Sequence, residues 1–259
     1  MFSKYTILIS LLITLLFISC GDQSITDPEP PENGDDPEFS FDHRRGAGSS
    51  ATAFLTDDDF SELIVEVQYM NGYRPENSAL ENLERFLEER LNKSAITIME
   101  PQEISSGGES SYSASDVRDI EEENRTAWSE EGRLAAYILI LDAEFDQENV
   151  LGIAHYNTSM ALFGETVDRV SGGIGQPSRS VVETTILLHE AGHLFGLVNN
   201  GIEMQEPHHD EENGAHCDVD SCLMYFAVNT TDFIANVFGG SVPELDDFCI
   251  ADLQAAGGR

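Results

Sequence analysis

His189-Glu190-Ala191-Gly192-His193 puts two imidazoles and a carboxylate into five residues. Residues four apart on a helix stand one turn apart on the same face, so His189 and His193 can aim both rings at one zinc ion. Glu190, next to the first ring, can take the proton of a water that attacks a carbonyl under metal activation. This chemistry is metal-assisted hydrolysis. It requires a helix, and the segment from about Ser180 to Leu197 supplies one, long and apolar on one face. Burying Glu190 beside two histidines in such a helix is costly without a cation to compensate.

A catalytic zinc of this kind needs a third protein ligand and keeps one position open. The longer string HEAGHLFGL, His189 to Leu197, resembles the metzincin metalloproteases, whose pattern is HExxHxxGxxH followed by a Met-turn. In that family the glycine turns the chain sharply and a His or Asp follows three residues later. Here that position is Asn199, a poor ligand because its neutral amide oxygen compensates little charge. Further on, His216-Cys217-Asp218-Val219-Asp220-Ser221-Cys222-Leu223-Met224 reads HCxxxxCxM and resembles the archaemetzincin branch. The resemblance implies His216 as third ligand and Met224 as the Met-turn, with residues 199–215 a 17-residue insertion. Within that insertion Pro207-His208-His209-Asp210 offers competitors, and His208 is the alternative third ligand.

Phe248-Cys249-Ile250-Ala251-Asp252-Leu253 is similar to the branch's later CxxC with its second Cys replaced by Asp252. By that resemblance Cys217, Cys222, Cys249 and Asp252 form a second metal site, a structural zinc with three sulfurs and one oxygen. A disulfide with one free thiol is the competing arrangement in an exported chain. The resemblance spans residues 55–259, but its specific motifs lie within 189–253.

The elements that must position these groups alternate. Phe60 to Tyr69 alternates apolar and polar residues as a strand does, and Glu76 to Lys93 spaces Leu80, Leu83, Phe86, Leu87 and Leu91 at helical intervals. Ala95 to Met99 is a short β-branched run, and residues 102–115 read as a loop. Asp116 to Trp128 reads as a helix with Glu121-Glu122-Glu123 on a solvated face. Leu134 to Leu141, LAAYILIL, suits a central buried strand, and Val150 to Phe163 an edge strand or hairpin. The expected fold is α+β: a metzincin-type mixed sheet with long helices and a small irregular C-terminal part.

The chain has 259 residues, with 13 Lys+Arg against 48 Asp+Glu and a net charge of −35. Such a surface repels phosphate backbones and anionic headgroups, which excludes non-specific nucleic-acid binding. It also suits cations such as calcium. Residues 1–19 carry Lys4 and then an apolar run too short for a comfortable membrane span, as an export signal does. The run ends at Cys20, where it resembles a bacterial lipobox, so an exported lipoprotein held to the membrane by its N-terminal lipid is expected. Residues 20–50, rich in Pro, Gly and acids, read as a tether to a domain at 51–259. The resulting expectation is a monomeric zinc endopeptidase acting on protein or peptide substrates. The alternative is a non-catalytic surface module with structural zinc or calcium.

Overall fold

The computed structural model describes residues 39–231 and 241–259. The export signal, Cys20 and the tether as far as residue 38 lie outside the described residues. Among the described residues, eight strands and five helices precede the C-terminal part: α1 (Ala51–Leu55), β1 (Phe60–Met70), α2 (Asn77–Arg90), β2 (Ala95–Ile98), β3 (Gln102–Ile104), β4 (Ser111–Tyr112), α3 (Ala114–Asn124), β5 (Gly132–Leu141), β6 (Glu144–Phe145), β7 (Gly152–Tyr156), β8 (Ser159–Phe163), α4 (Gly164–Val170) and α5 (Arg179–Leu194). A 3-10 turn (Phe226–Asn229) and a C-terminal helix (Asp247–Ala255) follow. The main sheet runs β2-β1-β5-β8-β7, with β3 also on β1. All its pairings are parallel except β7 with β8. The fold is a mixed α/β sheet with helices packed on it.

The apolar run of β5 becomes the sheet's centre because both its faces are covered. Leu134, Ala136, Ile138 and Ile140 join the core that holds α2 and α5, while Tyr137, Leu139 and Leu141 join a second core beside α3. A strand buried on both sides loses the polar half of its alternation, which is why eight consecutive apolar residues form a strand and not a helix. The antiparallel β7–β8 hairpin leaves β7 as the edge beside α5. Among the described residues, no helix is long and apolar enough to cross a membrane.

Several local expectations differ from the structure for tertiary reasons. The acidic run of α3 does not simply face solvent: Glu121 is buried and accepts hydrogen bonds from Arg125, Ser159 and His155 at 2.6 Å each. Burial would raise its carboxyl's pKa, but the His155 bond and the Arg125 charge hold it below the usual range. The stretch 102–115 contributes β3 and β4, because Gln68–Met70 extend past β2 and need a partner there. Residues 39–50, read from composition as the end of the tether, are packed. Phe39 and Phe41 stand edge-on to Phe60, and the Asn157 backbone N–H donates to the Arg45 carbonyl.

Candidate metal centre

Helix α5 starts at Ser178, whose hydroxyl accepts from the Val181 amide, a cap worth about 1 kcal/mol. It ends in a Schellman turn at Gly196, which sits at φ +76°, with the Gly196 amide on the His193 carbonyl and the Leu197 amide on the Gly192 carbonyl. The left-handed backbone recurs at Val198 and Asn199, at φ +55° and +58°. Asn199 is exposed, outside the histidine group. The insertion then loops out and returns at His216.

His189, His193 and His216 converge, with one ring nitrogen of each within 4.8 Å of the others. Nε2 of His189 and Nε2 of His193 are 3.2 Å apart. Two nitrogens at 2.0–2.1 Å from one tetrahedral ion are separated by about 3.3 Å, so the pair has the spacing a zinc needs. The second ring nitrogens of His189 and His216 are occupied. Nδ1 of His189 donates to the Leu223 carbonyl at 2.8 Å, and Nδ1 of His216 to the Asn213 carbonyl at 2.6 Å. Each bond fixes a tautomer that leaves Nε2 with its lone pair. Burial pushes the His189 pKa down to about 3, with the neighbouring His216 ring adding to it, and lowers His193 and His216 as well. All three rings are therefore neutral and able to ligate at pH 7.

Glu190 is buried beside them, and desolvation raises its carboxyl to about 8. Its Oε1 accepts from Asn229 Nδ2 at 2.8 Å. The same Asn229 side chain binds both main-chain groups of Gly152, donating to its carbonyl at 2.7 Å and accepting from its amide at 2.9 Å. Asn229 thus fastens the edge strand to the carboxylate. Gly152 allows that approach, because a Cβ there would meet Ile186 Cγ2 at 2.5 Å. Met224 lies fully buried under the helix at Gly192, where an added Cβ would be 2.3 Å from its Sδ. A cleft of about 470 Å³ opens over Glu190, His193 and His216 and runs along β7.

A second group lies one residue away in sequence from His216. Cys217, Cys222 and Cys249 are buried free thiols, and Sγ of Cys222 and Cys249 are 3.7 Å apart. Sulfurs on one tetrahedral zinc at 2.3 Å stand about 3.8 Å apart. Hydrogen bonding from Cys217 draws the Cys222 thiol down to about 3, while its two neighbours are pushed up. The fourth corner differs from the sequence expectation. Asp252 does not join the sulfurs: its Oδ2 bonds His208 Nε2 at 2.8 Å and its Oδ1 accepts from the Gln205 amide at 2.7 Å. His208 stands beside them instead, with Nδ1 at 3.3 Å from Cys217 Sγ and 3.9 Å from Cys249 Sγ, in a group of ligand atoms within 4.8 Å of one another that also takes in Asp246. His208 is accordingly engaged here and not with the helix histidines, and His209 is bonded to the Gly214 carbonyl at 2.6 Å. Asp246, capping the C-terminal helix, accepts from Cys217 Sγ at 3.4 Å and from the Cys249 amide at 2.9 Å.

No family model matches the chain, and no curated protein does. Among solved structures it is similar to an archaemetzincin from Methanopyrus kandleri. That likeness has 16% identity and a TM-score of 0.48, and covers 76% of this chain and 95% of the other.

Sequence reasoning did not find Asn229, Asp246 or the placement of His208. A glycine inside an edge strand does mark a close backbone approach, so Gly152 was the available signal for the first. Nothing in the spacing of the insertion reveals which cluster His208 joins.

Proposed function

We propose that the chain is a zinc metallopeptidase whose catalytic ion is held by His189, His193 and His216, with Glu190 as general base. The observation that carries this is the convergence of three neutral imidazoles with a buried carboxylate on the floor of an open cleft. The donors suit zinc in number, type and spacing. Bound there, zinc supplies a Lewis acid that polarises a carbonyl and acidifies a water. Glu190 takes the proton of the attacking water and passes it to the departing amine. Asn229 keeps that carboxylate at the cleft wall. Strand β7 lines the cleft where an extended substrate would lie, its Gly152 groups held by Asn229 and its His155 carbonyl by Arg118. A second zinc on Cys217, Cys222, Cys249 and His208 has a structural role, with Asp252 orienting the imidazole.

The experiment that tests the activity is hydrolysis of a mixed peptide library by the zinc-loaded chain, with mass spectrometry of the products. Cleavage that stops on chelation and returns with zinc is expected, and no cleavage in the zinc-loaded protein contradicts it. In the same assay Asn229→Ala is expected to lower kcat about 10–100-fold while zinc content stays constant, as for other residues that orient a catalytic group. A kcat within twofold of wild type removes Asn229 from the mechanism.

Anchoring is part of the proposal and rests on the sequence alone: the apolar run of 1–19 ends at Cys20. Replacing Cys20 with Ala is expected to move the protein out of the membrane fraction or to block signal removal. Unchanged fractionation, with no fatty acid on the wild-type chain, rules the anchor out.

A further inference from the structure

The cleft wall has an unexpected charge. In a chain with 48 Asp+Glu and 13 Lys+Arg, the charged residues that line the cleft are Glu190 and one cation, Arg118. Arg44, Arg74, Arg125, Arg133, Arg169 and Arg179 each pair with a carboxylate. Arg118 pairs with none among the described residues, although Asp119 and Glu122 stand on the same helix.

Its position is fixed nonetheless. The guanidinium lies 5.1 Å above the Tyr156 ring, and Nε and Nη2 donate to the His155 carbonyl at 3.3 and 3.2 Å. Nη1 has no partner among the described residues. An arginine held by stacking and two main-chain bonds has already lost much of its rotamer freedom, so less entropy opposes its binding a ligand. Helix α3 supplies it, and Asp116, in the first turn, is turned away into its capping box with Ser113.

The distance along β7 places this cation relative to the chemistry. Glu190 is tied to Gly152 through Asn229 and also bonds the Ala154 backbone, and His155 is the next residue along the strand. At about 3.3 Å per residue, His155 lies about 3–10 Å along the strand from the stretch that Glu190 touches, or one to three residues of an extended peptide. Between them the wall is apolar, formed by Ile153 and Ala154 with Phe145 and Val150. Resting on the peptidase reading, we infer that Arg118 is a specificity residue that binds a substrate carboxylate one to three residues from the cleaved bond. That carboxylate belongs either to an acidic side chain or to the substrate's C-terminus.

The zinc-loaded Glu190→Gln protein allows binding to be read without turnover. Fluorescence anisotropy would compare labelled peptides that carry Glu or Gln at one position, each with a free or an amidated C-terminus. The carboxylate-bearing peptides are expected to bind about tenfold more tightly, by a margin that shrinks with added salt. Adding Arg118→Gln is expected to abolish the margin, and Arg118→Glu to transfer it to Lys-bearing peptides. Loss of the margin only in the amidated set assigns the C-terminal source, and loss only in the Gln set assigns the side chain. In the active enzyme the same substitutions should raise KM for the preferred peptide with little change in kcat. Equal binding of all four peptides overturns the inference and leaves the peptidase reading standing. Binding of none of them, in a protein that holds its zinc, overturns both.

Discussion

Glu190→Gln is expected to abolish peptide hydrolysis and to leave the bound zinc in place. The amide cannot take a proton from water, and proton transfer by a positioned base commonly contributes 10²–10⁴-fold to rate. Because Glu190 lies outside the histidine trio, the substitution removes no ligand. The variant has a second readout in the metal-free protein. There, burial raises the Glu190 carboxyl from 4.5 to about 8, so the folded chain holds a proton that the unfolded chain has released. A group raised in this way makes stability fall as pH rises from about 4.5 through about 8. The lowered histidines raise stability with pH below about 6.5 in both metal-free proteins, so Glu190 is read from the difference: the Tm of wild type relative to Glu190→Gln should fall as pH rises across that window. Zinc bound beside the carboxylate offsets the burial cost and should shrink that pH-dependent difference. Wild-type rates in the variant, or identical pH profiles for the two metal-free proteins, would contradict the role given to Glu190.

The second large effect separates His208 from His216. Both lie in or beside the insertion, and both are histidines that spacing alone would allow on the catalytic ion. His216→Ala is expected to abolish activity and to lower the zinc content from two ions to one, because the remaining pair leaves a site without its third donor. His208→Ala is expected to spare the helix site and to weaken the thiol site, with a lower Tm. Its Asp252 partner would then be a buried carboxylate that keeps the Gln205 amide on Oδ1 but has lost the bond on Oδ2. Cobalt substitution reads the difference directly. Thiolate-to-cobalt absorption should persist in His216→Ala and weaken in His208→Ala. The opposite pattern would place His208 on the catalytic ion.

The contrast between these histidines shows what the sequence makes legible. HExxH was readable because helical spacing fixes where His189 and His193 point, whatever surrounds them. The central strand was readable because eight apolar residues can be buried only where both faces are covered. His216 was indicated by a motif resemblance, and its adjacency to Cys217 forces neighbouring side chains into different clusters. Asp252 was misplaced because a sequence match assigns a position but not a direction: its carboxylate points to His208 and the Gln205 amide. Likewise Glu121 looked like one acid in a solvated run until Arg125 and His155 closed over it. Local periodicity reports the helix, but only the tertiary partners report which of its faces is buried.

One measurement bears most directly on the central claim that the three histidines form a zinc site beside Glu190. It is an anomalous-difference map at the zinc edge from crystals of the zinc-loaded chain. The account predicts a peak about 2.0–2.1 Å from Nε2 of His189, His193 and His216, with a second among the three sulfurs and His208 Nδ1. A map with no peak at the helix histidines, or with His216 turned away from it, would contradict the account.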